Sequence, residues 1–185
     1  MAGRYVRSTE RGLYHCLWQA VTSDDRLEIE AVNEAVVLAA LVLAAVNLLA
    51  GALGAALWQT GSVRGSGASR FWISLRVAQG CALAFAIGIG ALAAAGRDCS
   101  ERLFYLYALL PLAVAFVAEQ LRVASAQTIL DQRGLENAEA VGALEQAQQH
   151  EIVAAIVRRE VGVMALSALV VVFLALRAAG TAHGF

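Results

Sequence analysis

Charged residues are almost absent from four segments of this chain, residues 35–58, 71–96, 103–118 and 161–176. The second segment contains one charge, Arg76, and the other three contain none. A transmembrane helix needs roughly 20 mostly apolar residues. The third and fourth segments are shorter than that, and they span a bilayer only if their flanking charges lie at the interface, where long side chains extend toward water. We therefore predict an all-α integral membrane protein with a bundle of four transmembrane helices.

The composition excludes several classes of function. The chain is 59% hydrophobic and only 16% charged, whereas about a quarter of the residues in soluble domains are charged. The formal net charge is −1, with no basic stretch of the kind that nucleic-acid binding requires, so we expect no nucleic-acid partner. All 14 positive residues are Arg. Motifs that depend on lysine, such as the phosphate-binding P-loop, are therefore absent.

The cysteines and histidines do not predict a metal or cofactor site. Cys16, Cys81 and Cys99 are odd in number and form no C-x-x-C pair, so we expect free thiols. His150 begins a sequence like the zinc-binding H-E-x-x-H, but Ala154 takes the place of the second histidine. All three histidines lie outside the apolar segments, which argues against a haem held within the membrane.

The sequence divides into four regions: residues 1–30, 31–122, 123–159 and 160–185. The first is predicted to be an amphipathic segment that lies at the membrane interface, with a new helix starting near Ser23. The second contains transmembrane helices 1 to 3, and the last contains helix 4 and a short tail. The third is rich in Ala, Gln, Glu and Leu, which favour helices, and Gly134 divides it. We predict that this third region is an acidic helical hairpin outside the membrane, which extends helices 3 and 4.

The distribution of arginines favours neither orientation. With four spans, the two termini and the short 97–102 connection lie on one side, which carries about as many arginines as the other side. We expect the cell membrane as the location, with both termini cytoplasmic, because the acidic hairpin contains few arginines. The balanced charge also allows insertion in both orientations, as an antiparallel dimer.

Arg76 is unusual because it stands just inside an apolar segment. It is followed at intervals of four residues by Gly80, Ala84 and Gly88, a row of small residues that lets helices approach closely in lipid. If this row packs against another helix, Arg76 needs an acidic partner. Glu119 lies at a similar height in the bundle. At about 1.5 Å per residue, Glu119 is roughly 24 Å and Arg76 roughly 30 Å along its helix from the 97–102 connection. The alternative is that Arg76 simply marks the membrane interface.

The predicted polar cluster within the membrane consists of Arg76, Gln79, Glu119, Gln120, Arg122 and Glu160. Asn47 and Glu34 in the first helix are further polar residues, which either line a path or serve packing and interface roles. A charged pair in a transmembrane bundle is a candidate functional site, although locking helices together is the simpler role.

These residues favour no reaction. We expect a non-enzymatic scaffold or accessory subunit, without cofactors, that associates with the lipid bilayer and with other membrane subunits or with copies of itself. A small transporter or channel with a polar path around Arg76 and Glu119 is the alternative. An intramembrane enzyme, with Glu119 and Glu160 as acid and base for a lipid-soluble substrate, has less support.

Overall fold

The protein is helical throughout the part of the chain that the structure describes. The structure is a computed structural model, and it describes residues 6–61, 65–97, 99, 101–135 and 138–182, with only the backbone for residues 6–28 and 138. The elements are α1 (Val6–Thr60), α2 (Ser66–Ala94), α3 (Arg102–Gln132), α4 (Ala138–Gly142) and α5 (Gln146–Thr181). Among the described residues, four helices are long and apolar enough to cross a membrane, which confirms the predicted helix class and the number of candidate spans.

The four long helices form a bundle in which α1, α2, α3 and α5 follow one another around the ring. The most extensive contact is between α1 and α5, and α3 also packs broadly on α5. Helix α2 packs mainly on α1 and less on α3. Each long helix packs on the next one along the chain, as in other up-and-down bundles, and α4 lies in the connection between α3 and α5.

The buried core has two parts, one toward each end of the bundle. The first includes Leu43, Phe104 and Cys99, and the second includes Phe71 and Met164. We refer to these ends as the Cys99 end and the Phe71 end. The first part contains two buried phenylalanines, Phe85 and Phe104, the second contains Phe71, and both contain several alanines. The helices therefore interdigitate closely without large side chains at every position.

Two glycines of α1 allow its close approach to the neighbouring helices. A Cβ atom on Gly54 would lie 2.6 Å from the Cβ of Ala165 in α5 and 2.6 Å from the ring of Phe71 in α2. A Cβ atom on Gly51 would lie 2.7 Å from the side chain of Leu169. Small residues at such contacts are the usual means of tight helix packing in membrane proteins.

Gly134 ends α3 in the left-handed conformation, with a φ of 68°. The N–H of Leu135 donates to the carbonyl of Leu130 at 3.0 Å, and the N–H of Gly134 donates to the carbonyl of Asp131 at 3.1 Å. These two bonds form the Schellman arrangement that glycine favours after a helix. The role expected for Gly134 from the sequence is therefore present in the structure.

The region after Gly134 differs from the single helix, continuous with transmembrane helix 4, that the sequence predicts there. Helix α4 has only five residues, and Glu145 has an extended backbone before α5 begins. The amide of Gln149 donates to the carbonyls of Gly142 and Leu144, at 3.0 and 2.8 Å. A glycine within the helical sequence weakens it, and this glutamine satisfies the carbonyls that the break leaves free.

The start of the chain also differs from the expectation. The sequence predicts a new helix near Ser23, but α1 runs from Val6 to Thr60 without interruption. A residue such as Ser23, which favours the start of a helix, can also lie within a longer helix when its neighbours adopt helical geometry. The side chains of residues 1–28 lie outside those described, so the amphipathic character of this segment stays a prediction.

Candidate functional site

A hydrogen-bonded triangle joins α2 to α3 at the Phe71 end. The Nη1 atom of Arg76 lies 2.7 Å from Oε1 of Glu119 and also donates to Oε1 of Gln79 at 2.7 Å. The Nε2 atom of Gln79 donates to the same Glu119 oxygen at 2.9 Å. Since Arg76 and Gln79 stand one helical turn apart on α2, both side chains reach the single carboxylate on α3.

Arg122 places a second positive charge on the other oxygen of Glu119. Its Nε lies 3.0 Å from Glu119 Oε2, one turn along α3. The Nε atom is buried, but its N–H is not aligned for a hydrogen bond, so this contact is an ion pair by distance only. The Arg122 guanidinium also lies 5.6 Å from the ring centre of Trp72 in α2, within the range of a cation–π contact.

Glu160 brings α5 into the same cluster. It lies close enough to Arg122 and Glu119 to interact electrostatically with both, and it is partly buried. Among the described residues, no ion pair within 4.0 Å involves Glu160. The four charges of Arg76, Arg122, Glu119 and Glu160 balance. Gln120 is exposed, and none of the hydrogen bonds described at the cluster includes it.

The cluster lies at the side of the bundle rather than inside it. The Arg76 side chain is 55% exposed and that of Glu119 is 26% exposed. Gly80, Ala84 and Gly88 are exposed as well, and a Cβ atom on Gly80 or Gly88 would meet nothing within 4 Å. The condition posed from the sequence, that this row packs against another helix, is therefore not met in the described part of the chain, although Arg76 still reaches Glu119. The opposite row of α2, with Phe71, Leu75, Ala78, Ala82 and Phe85, is the buried one, and the face that includes Gly80 also exposes Ile73, Val77 and Ile87.

Asn47 is buried at the centre of the bundle. Its Nδ2 donates to the carbonyl of Leu43 in the same helix at 2.9 Å. A cavity of about 10 Å³ adjoins it, with Gln79 and Ser167 also in the lining. A space of this size is at the lower limit for one water molecule. Asn47 and Gln79 therefore line the same small cavity, which is too small to be an open channel between Asn47 and the Arg76 cluster.

Glu34 is remote from the cluster. It is exposed on α1, two residues before Val36, which belongs to the core at the Cys99 end. The structure thus brings five of the eight predicted polar residues together, Arg76, Gln79, Glu119, Arg122 and Glu160. It places Asn47 beside them across a small cavity and leaves Gln120 and Glu34 outside.

Three arginine–aromatic contacts were not predicted from the sequence. Besides Arg122 with Trp72, the guanidinium of Arg158 lies 5.7 Å from the ring centre of Trp58, and that of Arg177 lies 5.5 Å from Tyr107. A signal was present, since each of these arginines stands at the edge of an apolar segment, where aromatic residues are enriched. The sequence does not show which arginine faces which ring.

The carboxylate of Glu119 has little capacity left for acid–base chemistry. Its Oε1 accepts two hydrogen bonds, and its Oε2 faces Arg122. A carboxylate has about four acceptor positions, and here most of them face donors of the protein itself. Arg76, in contrast, is largely exposed, with donors left for groups outside the chain. Within the described ranges, no three His, Cys, Asp or Glu side chains are close enough together to hold a metal ion.

Comparisons with protein-family models, with curated proteins and with solved structures find no match to this chain.

Proposed function

We propose that this protein is a multi-pass membrane protein in which α1, α2, α3 and α5 cross the bilayer. Each of these helices exposes large apolar side chains, and the most exposed include Leu38, Ile73, Phe116 and Phe173, at 63, 63, 66 and 70%. Apolar surface on every side of a bundle is costly in water and favourable in lipid. The cell membrane is the location we propose, with both termini cytoplasmic and the α3–α5 connection on the opposite side.

We propose further that its role is that of a non-enzymatic scaffold or accessory subunit. The observation that carries this proposal is that the Glu119 carboxylate is already engaged within the protein. Glu119 is engaged by Arg76, Gln79 and Arg122, and the adjoining cavity measures only about 10 Å³. A group that already makes its polar contacts within the protein stabilises a fixed helix arrangement better than it serves a substrate.

The surface that we assign to partner binding is formed by the last turn of α3, by α4 and by the start of α5. Asp131, Glu139, Glu145 and Glu151 are all exposed there. Of these carboxylates, Glu151 lies 2.8 Å from Arg133, and Asp131 accepts a hydrogen bond from Gln127 at 2.9 Å. An excess of exposed acidic groups favours a basic surface on another subunit, because complementary charge steers association.

Native mass spectrometry of the protein, extracted gently from its own membrane, tests this role. The wild-type chain is expected to bring a fixed set of other subunits with it. The variant with Glu139→Arg and Glu145→Arg is expected to lose them, because the surface charge is reversed. Glu30→Arg is the matched control, since Glu30 is exposed on α1, which does not form the acidic surface. A wild-type protein that is always found alone would contradict the scaffold role.

A small transporter is the second candidate, and one observation favours it. Asn47 and Gln79 line the same small cavity, and Gln79 accepts a hydrogen bond from Arg76 at the side of the bundle. Transport past these residues requires helix movement that enlarges the cavity. Liposome uptake that is lost in Asn47→Leu, with the fold intact, would favour the transporter over the scaffold.

A further inference from the structure

A groove of about 690 Å³ lies between α1 and α2 at the Cys99 end of the bundle and opens toward the outside. The residues of α1 that line it lie between Val32 and Leu43, and those of α2 lie between Cys81 and Leu92. Every lining residue is apolar or a thiol. The groove is separate from the polar cluster at the Phe71 end and from the acidic surface.

The floor and the walls of the groove differ in side-chain size. Leu43, Phe85 and Ile89 are buried core residues and form part of its floor. The walls include small residues, of which Ala84 and Gly88 are exposed. A Cβ atom on Gly88 would meet nothing within 4 Å. The groove exists because these positions lack the side chains that would fill the space between the two helices.

The groove occupies only one half of each span. Its α1 residues lie in the first half of Ile29–Thr60, and its α2 residues lie in the second half of Ser66–Ala94. At 1.5 Å per residue, the lining extends for roughly 16 Å along each helix. This is about half of the ~30 Å hydrocarbon core of a bilayer. The groove therefore reaches from one interface to about the middle of the membrane.

We propose that this groove binds one acyl chain of a membrane lipid, taken from the leaflet at the Cys99 end. Its length corresponds to the depth of a single leaflet, its lining is apolar, and it opens laterally, the direction from which a lipid chain enters. A helix of a second copy would cross both leaflets. The groove ends before the Phe71 end, where Gly54 and Phe71 are in close contact. The membrane placement is the one proposed above, whereas the scaffold role is not required.

Photo-crosslinking in vesicles tests the proposal. The intact chain is reconstituted in phosphatidylcholine vesicles that contain a small fraction of phosphatidylcholine with a diazirine in one acyl chain. After illumination, the labelled residues are mapped by mass spectrometry. Labelling is expected to concentrate within residues 32–43 and 81–92. Gly88→Leu is expected to abolish this enrichment, because the added side chain fills the groove.

Gly90→Leu is the matched control. Gly90 lies in the same helix at nearly the same depth, and its Cβ position is equally open, but it does not line the groove. This variant is expected to keep the wild-type labelling pattern. Ala84→Leu, which fills the same groove from the neighbouring turn, replaces Gly88→Leu if that chain does not fold.

Three results would overturn the proposal. One is uniform labelling of all exposed apolar positions, which indicates ordinary lipid contact. Another is equal labelling of the Gly88→Leu and Gly90→Leu proteins. The third is a wild-type dimer in native mass spectrometry that Gly88→Leu dissociates, which assigns the groove to a second copy. A chain that takes up no label at all would instead contradict the membrane placement, so the two failures are distinguishable.

Discussion

Arg76 and Glu119 form an ion pair of 2.7 Å between neighbouring helices, yet the arginine side chain is 55% exposed. Glu119 is thus the more buried partner of the pair, and the Arg76 side chain is accessible from outside the bundle. Gln79 and Arg122 hold the carboxylate from two further directions. We expect the pair to stabilise the α2–α3 contact, which is less extensive than the other contacts between neighbouring long helices.

Replacement of Glu119 by Gln is expected to lower stability by about 1–3 kcal/mol, because it leaves Arg76 and Arg122 without their shared carboxylate. The measurement is thermal or detergent-induced unfolding of the purified protein. Glu160→Gln is the control, and it should have a smaller effect, since no ion pair within 4.0 Å is described for Glu160. A Glu119→Gln protein with unchanged stability and unchanged subunit binding would refute the role assigned to this cluster.

The coupling between the two partners can be measured separately with a double-mutant cycle of Arg76→Gln and Glu119→Gln. The double variant should lose less stability than the two single variants together, because the interaction between the residues is lost only once. If the stability loss of the double variant equals the sum of the two single losses, the 2.7 Å contact makes no separate contribution to stability.

Gly54 and Gly80 should respond in opposite ways to alanine. In Gly54→Ala, the new methyl group would meet Phe71 and Ala165 at 2.6 Å, so we expect a loss of about 1–3 kcal/mol. Gly80→Ala meets nothing within 4 Å and should be neutral or gain up to about 1 kcal/mol from helix propensity. Unfolding of the two variants side by side checks this. Equal effects would contradict the described packing of α1 against α2 and α5.

The Arg133–Glu151 contact should contribute little to stability. Its side chains are 44% and 66% exposed, and exposed ion pairs contribute roughly 0–1 kcal/mol. Glu151→Gln should therefore unfold within about 0.5 kcal/mol of the wild type, with the small difference vanishing at high salt. A large, salt-independent loss would mean that this contact holds α3 and α5 together.

Asn47→Leu is expected to leave the fold stable. The buried amide donates only to its own helix, at Leu43, so an apolar side chain of similar size removes a polar group without breaking a contact between helices. The measurement is the unfolding curve together with the oligomeric state. A large loss of stability would show that Asn47 joins helices through a polar contact across the cavity.

The sequence was sufficient for the four candidate spans and for part of the cluster. Uncharged segments define candidate spans by length alone, and counting the rise per residue places Arg76 and Glu119 at heights within reach of each other. It was not sufficient to orient α2. The spacing of Gly80, Ala84 and Gly88 shows that they share a face, but both faces of α2 carry large apolar residues, so the sequence does not show which face is buried. The break before Glu145 depends on local competition between Gly142 and strong helix formers, which composition alone does not resolve.

The two tryptophan–arginine contacts at the Phe71 end involve all four long helices, since Trp58 and Arg158 join α1 to α5, and Trp72 and Arg122 join α2 to α3. In a bilayer, both residue types prefer the boundary between headgroups and acyl chains. In the membrane placement proposed above, these two contacts would anchor the bundle on two of its sides. A tilt of the bundle would move one pair toward the acyl chains and the other toward water, so both contacts would oppose the tilt.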